Sequence, residues 1–225
     1  MLIQQNLELL KNDIPEGVTL VAVSKTKPIS DIQEAFDSGQ MIFGENKVQE
    51  MVNKYDALPK NIQWHMIGHL QRNKVKYMAH FVDLIHGVDS LKTLKEIDKQ
   101  AKKHDRVINC LLQARIAKEE TKFGLPFDEI EQIVNSEEFN SLKNIKITGL
   151  MGMSTFTDDE DQIASEFKSL KYFFDKLKSD HLSTPNFQLL TLSMGMSGDY
   201  KIAIENGSNM IRVGSKIFGV RNYIV

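Results

Sequence analysis

Short runs of β-branched and other apolar residues alternate with longer amphipathic stretches along almost the whole chain. Each run has the length of a buried strand, and the stretches between the runs repeat apolar residues at the spacing of a helix face. We predict eight strands, at 18–24, 41–43, 62–67, 81–86, 107–114, 145–150, 187–192 and 209–213. Strands that alternate with helices in this way form a parallel sheet with the helices packed outside it.

The number of strands selects among the architectures that contain a parallel sheet. Eight parallel strands close into a barrel whose interior is filled by side chains. The alternative is an open doubly wound sheet, but no Gly-x-Gly-x-x-Gly fingerprint follows the first strand. We therefore predict an α/β fold, a (β/α)8 TIM-type barrel with an extra N-terminal helix at 1–11. No linker or repeat divides the 225 residues, so we predict a single domain over 1–225.

Local signals indicate where several helices begin and which faces they bury. Ser30 is placed to cap a helix over 30–36, and Ser90 is placed to cap the helix after the fourth strand. After the sixth strand, five apolar residues recur at helical spacing: Ile163, Phe167, Leu170, Phe174 and Leu177. Such a stripe predicts a long helix whose apolar face packs on the sheet.

Charge and hydropathy exclude two classes of partner. The formal net charge is −2, so no global basic field attracts nucleic acid or an anionic membrane. No run of about 18 apolar residues could span a membrane, and residues 1–6 lack the basic start and apolar core of a signal peptide. We expect a cytoplasmic protein that binds no nucleic acid and no membrane.

The residues that most often ligate metals or form disulfides are few and scattered. The one cysteine, Cys110, lies in an apolar run and is expected to be a core residue of a protein from a reducing compartment. His65 and His69 have i, i+4 spacing, but Gly68 lies between them at a strand-to-helix turn. A zinc pair with this spacing needs both histidines on one helix face. We predict no metal site.

The first predicted strand leads into a lysine-rich segment, residues 21–28 (VAVSKTKP). Because strand side chains alternate faces, Val21, Val23 and Lys25 share a face, which we take to be the barrel interior. Burial among apolar residues disfavours the ammonium form and leaves the neutral amine that attacks carbonyl groups. Lys27 continues this face if the strand runs on. The competing interpretation of Lys25 is a solvent-exposed lysine at a strand end.

Two turns rich in Gly and Ser follow the seventh and eighth strands, at 192–199 (LSMGMSGD) and 212–219 (RVGSKIFG). In barrels of this type the active site lies at the carboxyl ends of the strands, and phosphate sites commonly follow strands seven and eight. Small residues let the backbone approach an anion, and the helix N-terminus beyond each turn offers unpaired N–H groups. Each turn is a weak signal alone, since Gly and Ser also occur at ordinary helix starts. Together they predict a phosphate site.

A reactive lysine beside a phosphate site indicates either pyridoxal 5′-phosphate (PLP) or a phosphorylated sugar as the ligand. Arg212 lies just before the second turn on the strand face of Met210, so its side chain can reach the middle of the barrel mouth. Next to a PLP pyridine nitrogen, an arginine would disfavour pyridinium and weaken the electron sink that transaminases use. The competing interpretation of Arg212 is a structural ion pair across the mouth.

Six segments resemble a known family, in the same order and over almost the whole chain. They are VAVSKTKP at 21–28, FGENKVQE at 43–50, WHMIGHLQRNK at 64–74, GLMGM at 149–153, LSMGMSGD at 192–199 and RVGSKIFG at 212–219. The family is that of the PLP-binding barrels typified by YggS and the PLP homeostasis protein, whose fold is similar to the N-terminal domain of alanine racemase. Position 215, often Thr in such proteins, is Ser here and keeps the hydroxyl group.

The resemblance implies seven cofactor-binding residues: Lys25, Asn46, Ser193, Met194, Arg212, Gly214 and Ser215. By the resemblance, Lys25 holds PLP as a Schiff base and Arg212 lies near the pyridine nitrogen. The two serines and Gly214 bind the phosphate, and the remaining two residues line the pocket. The implied function is intracellular PLP homeostasis without an established catalytic turnover. The implied partners are PLP and PLP-accepting apo-enzymes, and we expect a monomer or a weak dimer.

An enzyme is the alternative, either an amino-acid racemase-like PLP enzyme of fold type III or a Schiff-base aldolase that acts on a phosphorylated carbonyl substrate. Alanine racemase has a second, β-rich domain and a tyrosine base from the partner subunit, and this sequence ends at Val225, just past the eighth unit. The tyrosines all fall in helix-like or terminal segments: Tyr55, Tyr77, Tyr172, Tyr200 and Tyr223. We therefore expect no second base and assign no catalytic residue.

Overall fold

Hydrogen bonding between the first and last strands closes the sheet. The computed structural model describes residues 2–119, 123–180 and 184–219. Within these ranges, eight parallel strands follow one another around a closed barrel in sequence order. The first strand pairs with the eighth in a register that aligns Val21 with Arg212, a pairing that an open sheet lacks. The predicted (β/α)8 barrel is confirmed, and the open-sheet alternative is wrong.

Strands and helices alternate along the chain. The strands are β1 (Thr19–Val23), β2 (Ile42–Glu45), β3 (Gln63–Met66), β4 (Leu84–Val88), β5 (Ile108–Gln113), β6 (Ile145–Met151), β7 (Phe187–Ser193) and β8 (Met210–Val213). The α-helices are α1 (Leu2–Asp13), α2 (Ile29–Asp37), α3 (Val48–Ala57), α4 (Val75–Met78), α5 (Leu91–Lys102), α6 (Phe127–Asn135), α7 (Glu137–Asn140), α8 (Glu160–Asp180), α9 (Tyr200–Glu205) and α10 (Ser215–Phe218). Of the helices in the described ranges, none has the combination of length and apolar character that crossing a membrane requires.

The helix that precedes the barrel, α1, packs against the last helix. Its apolar stripe is buried, and the Nδ2 of Asn6 donates a hydrogen bond to the carbonyl oxygen of Ile217 in α10 at 2.9 Å. At its C-terminal end the carboxylate of Asp13 accepts a hydrogen bond from the hydroxyl of Tyr200. The predicted extra N-terminal helix is confirmed, and it extends two residues beyond the predicted end.

The predicted helix starts have different outcomes. Ser90 caps α5, because its Oγ accepts a hydrogen bond from the backbone N–H of Thr93 at 3.2 Å. Ser30 does not cap α2; this prediction is wrong, since Pro28 occupies the N-cap position and Ser30 lies inside the helix. The Pro28 carbonyl accepts from the Asp31 N–H, so the helix begins earlier. The five-residue apolar stripe of α8 is buried as predicted.

Strand side chains fill two separate apolar layers. One layer lies inside the barrel and consists of Val21, Leu84, Leu111, Met151 and Met210. The other lies between the sheet and the helices and contains the alternate residues of the strands. Cys110 is fully buried in this outer layer, and burial raises the pKa of its thiol. The prediction that Cys110 is a core residue is confirmed.

The start of β4 differs from the prediction. The strand begins at Leu84 rather than at 81, because the N–H groups of Phe81 and Val82 both donate to the carbonyl of Met78 at the end of α4. Phe81 is buried by stacking on Tyr55 with ring centroids 3.9 Å apart. These apolar residues are therefore part of a helix end and not of the sheet.

At Gly149 the backbones of β6 and β7 leave no room for a side chain. A Cβ added to this residue would lie 1.8 Å from the carbonyl oxygen of Thr191. The register of β6 shifts against both neighbouring strands near this point. Only a residue without a side chain permits this approach of the two backbones.

We predict that Gly149→Ala lowers the free energy of unfolding by about 1–3 kcal/mol, because two strands must separate to admit the methyl group. Chemical denaturation followed by circular dichroism measures the change. Gly198→Ala is the matched control, since an added Cβ there meets no atom within 4 Å. Equal stability of the two variants would contradict the close approach.

Candidate functional site

A cavity of about 700 Å³ opens at the carboxyl ends of the barrel strands. Active sites of this architecture lie at this end of the barrel. The lining includes five of the residues expected to bind a cofactor: Lys25, Asn46, Arg212, Gly214 and Ser215. Each of them lies at the end of a strand or in the turn that follows. Closure of the sheet therefore brings them together from both ends of the chain.

Lys25 lies on the side of the barrel that the alternation of β1 predicts, with Val21 and Val23. Val21 packs inside the barrel, and Val23 and Lys25 both line the cavity. The strand ends at Val23, and Lys25 lies in the turn after it, half-buried rather than exposed. The interpretation of Lys25 as a solvent-exposed lysine at a strand end does not fit this position.

Lys27 leaves this face, because β1 ends at Val23 and does not run on to Lys27, which was the condition for the two lysines to share a face. The chain turns at Thr26, whose φ is +64°. The Nζ of Lys27 then donates to the carbonyl oxygens of Phe218 at 2.7 Å and Gly219 at 3.3 Å. A cation at the C-terminal end of α10 is favourable there, because helix ends expose unpaired carbonyl groups. Lys27 is absent from the cavity lining.

Asn46 follows β2 and lines the cavity without capping the next helix. The N-cap residue of α3 is Lys47, and no side chain accepts a hydrogen bond there. The backbone of Asn46 is packed tightly against Gly68, where an added Cβ would lie 2.5 Å from the Asn46 carbonyl oxygen. The position of Asn46 at the mouth is therefore set by its backbone, and its side chain is available to a ligand.

Arg212 forms the floor of the cavity. It is 4% exposed, and its guanidinium donates to the Oγ of Ser193 at 2.6 Å and to the carbonyl oxygen of Gly152 at 3.0 Å. Burial lowers the pKa of Arg212 to about 10, and the nearby charge of Asp199 opposes this shift. Arg212 thus stays charged at neutral pH. Both hydrogen bonds go to neutral acceptors, so a structural ion pair does not describe these contacts.

The structure does not bring Ser193 and Met194 to the cavity lining. The side chain of Ser193 is fully buried beneath the cavity, between Arg212 and His86. Met194 is also fully buried, in the outer apolar layer. The chain turns only after these residues, at Gly195, whose φ is +90°.

The turns after β7 and β8 meet at the cavity. Ser197 and Gly198, which the sequence did not single out as site residues, line it together with Gly214 and Ser215. The N–H of Gly214 donates to the Oγ of Ser197 at 3.2 Å. A Cβ at Gly214 would lie 2.9 Å from the Val23 carbonyl oxygen, whereas the space around Gly198 is open. The two turns leave room for an anion beside short helix N-termini.

Asp199 joins the β7 turn to the loop after β6. Its Oδ1 accepts from the N–H of Met196 at 2.6 Å, and its Oδ2 accepts from the hydroxyl of Ser154 at 2.7 Å. Glu166 of α8 holds the same loop by accepting from the N–H and the hydroxyl of Thr155, each at 2.7 Å. These two carboxylates fix one wall of the cavity. The sequence signal for Asp199 was its position directly after a Gly- and Ser-rich turn.

Two buried histidines extend the polar floor into the barrel interior. The ring of His86 lies 3.3 Å from Ser193 Oγ and 3.0 Å from the Nδ1 of His65. Burial lowers the pKa of His65 to about 3. The pKa of His86 is also well below its usual value, because of burial and of the neighbouring His65 and Arg212. Both rings are therefore neutral, and Arg212, Ser193, His86 and His65 form one continuous hydrogen-bonded chain.

His69 lies apart from the buried pair, on the cavity wall. Its Nδ1 is 3.2 Å from the Oδ2 of Asp89, and its ring stacks on Phe123. His65 and His69 therefore do not converge on one ion. Across residues 2–119, 123–180 and 184–219, no group of three or more His, Cys, Asp and Glu side chains is arranged to hold a metal.

Comparison with known families identifies the relatives of this chain. The family model described as alanine racemase, N-terminal domain, matches residues 2–222. The chain belongs to this family.

Within the alanine racemase N-terminal domain family, the chain is similar over its length to proteins named pyridoxal phosphate homeostasis protein. The one from Haemophilus influenzae is 37% identical, over 99% of this chain and 98% of that protein. PipY of Synechococcus elongatus PCC7942, solved with PLP bound, is 32% identical with a TM-score of 0.86, over 96% of this chain and 100% of that chain. Alanine racemase of Clostridium difficile 630 is 16% identical with a TM-score of 0.79, over 99% of this chain and 61% of that chain. This last likeness concerns the fold alone.

We predict that acid destabilises the folded protein through the buried histidines. The pKa of His65 is about 3 in the folded state and about 6.5 in an unfolded chain. Between these values the unfolded state binds more protons, so the stability present above pH 6.5 is lost as the pH falls. At pH 5 the loss from His65 alone is on the order of 2 kcal/mol.

Denaturation at about pH 7.5 and about pH 5 measures this effect. The free energy of unfolding of His65→Gln should change less between the two conditions than that of the unsubstituted protein. His104→Gln, a change at an exposed histidine, should retain the full dependence. The same pH dependence in both variants would contradict the assignment to the buried pair.

Proposed function

We propose that this protein binds PLP in the cavity at the barrel mouth, attached through Lys25 as a Schiff base, and acts in intracellular PLP homeostasis. The observation that carries the proposal is the convergence of Lys25, Arg212 and two Gly- and Ser-containing turns on one cavity. The relatives named pyridoxal phosphate homeostasis protein and the PLP-bound structure of PipY support the same function.

The cavity suits a planar aromatic ligand with one anionic end. Its volume of about 700 Å³ falls within the range of small-molecule sites, roughly 300–1,000 Å³. Apolar side chains such as Ile67 and Met153 line it together with a larger set of polar and charged side chains. When bound, PLP would supply an aldehyde that condenses with an amine and a conjugated ring that withdraws electrons. Lys25 is the amine on the cavity wall.

We assign the phosphate to the meeting point of the β7 and β8 turns. Gly214 is the N-cap residue of the short helix α10 and Ser215 is its first residue, so the start of the helix offers the N–H group and the hydroxyl of Ser215 to an anion. The open space at Gly198 lets the backbone of the facing turn approach the same anion. Ser197 stabilises the pair of turns through its hydrogen bond with Gly214. We therefore add Ser197 and Gly198 to the phosphate-binding residues.

We assign Arg212 to the ring nitrogen. A guanidinium with a pKa of about 10 donates hydrogen bonds and cannot accept one at neutral pH. A pyridine nitrogen beside it stays unprotonated, so the bound ring is a weak electron sink. Ser193 acts through Arg212, because its Oγ accepts a hydrogen bond from the guanidinium of Arg212. Met194 supports the β7 turn from the outer apolar layer. Asn46 lines the cavity at the end of β2.

A carrier without steady turnover fits the side chains around the cavity better than a racemase. Proton transfer at an amino-acid Cα on both faces requires two positioned bases, and Lys25 can serve as one of them. Of the described tyrosines, none lines the cavity. The hydroxyl of Tyr200 binds Asp13 instead, and burial together with this carboxylate raises the pKa of Tyr200 to about 12. Tyr223 lies outside the described residues.

We further propose a cytoplasmic location, with PLP-accepting apo-enzymes as partners and a monomer or a weak dimer as the working form. The single cysteine is a free, buried thiol, which suits a reducing compartment. The formal net charge of −2 provides no long-range attraction to polyanions. Release of the cofactor to an acceptor lysine would reverse the condensation at Lys25.

We predict that Lys25→Ala abolishes the visible absorbance of lysine-bound PLP and that Lys27→Ala retains it. The reason is that Lys25 lines the cavity, whereas the carbonyl groups of Phe218 and Gly219 hold Lys27. Borohydride reduction fixes the cofactor to its lysine, and peptide mapping then locates the label. Label on Lys27 would show that the attachment residue is misassigned.

We predict that the PLP-loaded protein shows no steady turnover of common amino acids, because none of the described tyrosines lines the cavity to act as a second base beside Lys25. Incubation in deuterated water followed by NMR measures exchange at Cα and product formation. Turnover near about 1 s⁻¹, the low end of ordinary enzymes, would favour the racemase-like alternative. A colourless protein that reacts only with sugar phosphates would favour the aldolase alternative.

A further inference from the structure

The turn that carries Lys25 has a strained backbone. Thr26, directly after Lys25, has a φ of +64°. A β-branched residue is rarely found in this left-handed region, because its side chain collides with the backbone. Such a conformation persists only where the surrounding structure holds it, and it often marks a functional position.

Hydrogen bonds from one group of side chains hold the residues on both sides of Lys25. The N–H of Thr26 donates to the Oε1 of Glu50 at 2.6 Å. On the other side, the hydroxyl of Ser24 donates to the Oε1 of Glu45 at 2.6 Å, and the carbonyl oxygen of Ser24 accepts from Lys54 at 2.8 Å. The backbone is thus fixed immediately before and after Lys25.

Lys54 joins these contacts into a single cluster. Its Nζ donates to the Oε1 atoms of Glu45 and Glu50, each at 2.7 Å, in addition to the Ser24 carbonyl. Glu45 ends β2, and Glu50 and Lys54 lie one turn apart on α3. We name Glu45, Glu50 and Lys54 the α3 clamp. None of its members lines the cavity, so the clamp acts from behind the turn.

Fold stability alone is a poor explanation for the α3 clamp. Glu45 is fully buried and Lys54 is 5% exposed, and removing such charges from water is costly even when they are paired. The Oε2 of Glu45 has no hydrogen-bond partner within the described part of the chain. Burial raises the pKa of Glu45 to about 7, against the opposing effect of Lys54. Apolar residues of similar size would fill this space at lower cost.

We propose that the α3 clamp positions Lys25 for covalent attachment of the cofactor. The inference rests on the proposed function. In the attachment, the neutral amine of Lys25 adds to the aldehyde carbon, the carbonyl oxygen takes up the two protons that the amine nitrogen loses, and water leaves as the C=N bond forms. The amine must lie within reach of that carbon at the correct angle. A turn fixed at Ser24 and Thr26 holds it there, so Glu45, Glu50 and Lys54 are positioning residues that contact no reacting atom.

Glu50→Ala is the most informative variant, because Glu50 is the partly exposed member, with a side chain 24% exposed. Its removal frees the Thr26 N–H and leaves the cavity walls intact. The matched control is Asp175→Ala, which removes the carboxylate of an exposed i, i+4 pair with Lys171 on α8. Thermal melting of both variants verifies that they are folded.

Two probes separate attachment from pocket binding. PLP followed by borohydride measures the rate of covalent attachment at Lys25. Pyridoxine 5′-phosphate has the same ring and phosphate but no aldehyde, so its Kd reports the pocket alone. We expect Glu50→Ala to slow attachment at least tenfold and to change the Kd of pyridoxine 5′-phosphate less than twofold. Asp175→Ala should change neither quantity.

Rescue by a conservative variant provides a further check. Glu50→Gln retains an acceptor oxygen for the Thr26 N–H and should restore most of the attachment rate. An unchanged rate in Glu50→Ala overturns the inference, and so does an equal loss of attachment and of pyridoxine 5′-phosphate binding, which indicates a general structural role. If the unsubstituted protein forms no reducible attachment, the proposed function fails at that step, before the clamp variants are compared.

Discussion

Hydrogen bonding between β1 and β8 is the constraint on which the site depends. The pairing aligns Val21 with Arg212, so the turn after one strand lies beside the turn after the other. The contact is tight, because a Cβ at Gly214 would lie 2.9 Å from the carbonyl oxygen of Val23. Lys25 and the candidate phosphate turn thereby become neighbours, although they come from opposite ends of the chain. An open sheet made of the same strands would leave them apart.

The closed barrel also creates a buried interior in which a charge needs specific partners. Arg212 meets this requirement through neutral acceptors, and its hydrogen-bonded chain continues through Ser193 to His86 and His65. Two ionised histidines beside a guanidinium would repel it at short range, so burial that keeps them neutral leaves one fixed charge on the cavity floor. Asp199 on the rim partly balances that charge. The cavity thus combines a rigid cation at its base with polar turns at its edge.

The sequence was sufficient for the parts of the fold that depend on local periodicity. The eight strand–helix units, the inward face of β1 and the buried stripe of α8 all follow from spacing within a short window. Local signals failed where two of them competed. Pro28 began α2 ahead of Ser30, and the apolar residues Phe81 and Val82 closed a helix end rather than starting a strand. An apolar run gives the same pattern whether a strand or a helix end buries it.

By itself, then, the sequence determined the barrel, the lysine at the end of β1 and the two Gly- and Ser-rich turns. Only the tertiary structure decided that Lys27 leaves the cavity, that Ser193 and Met194 lie beneath it, and that Glu45, Glu50 and Lys54 hold the lysine turn from behind. Spacing within a strand or helix sets which face a side chain occupies, because backbone geometry repeats at a fixed period. Once the chain turns at a residue such as Thr26, that period ends. The direction of the next side chain then depends on contacts with segments distant in sequence, and no local pattern records those contacts.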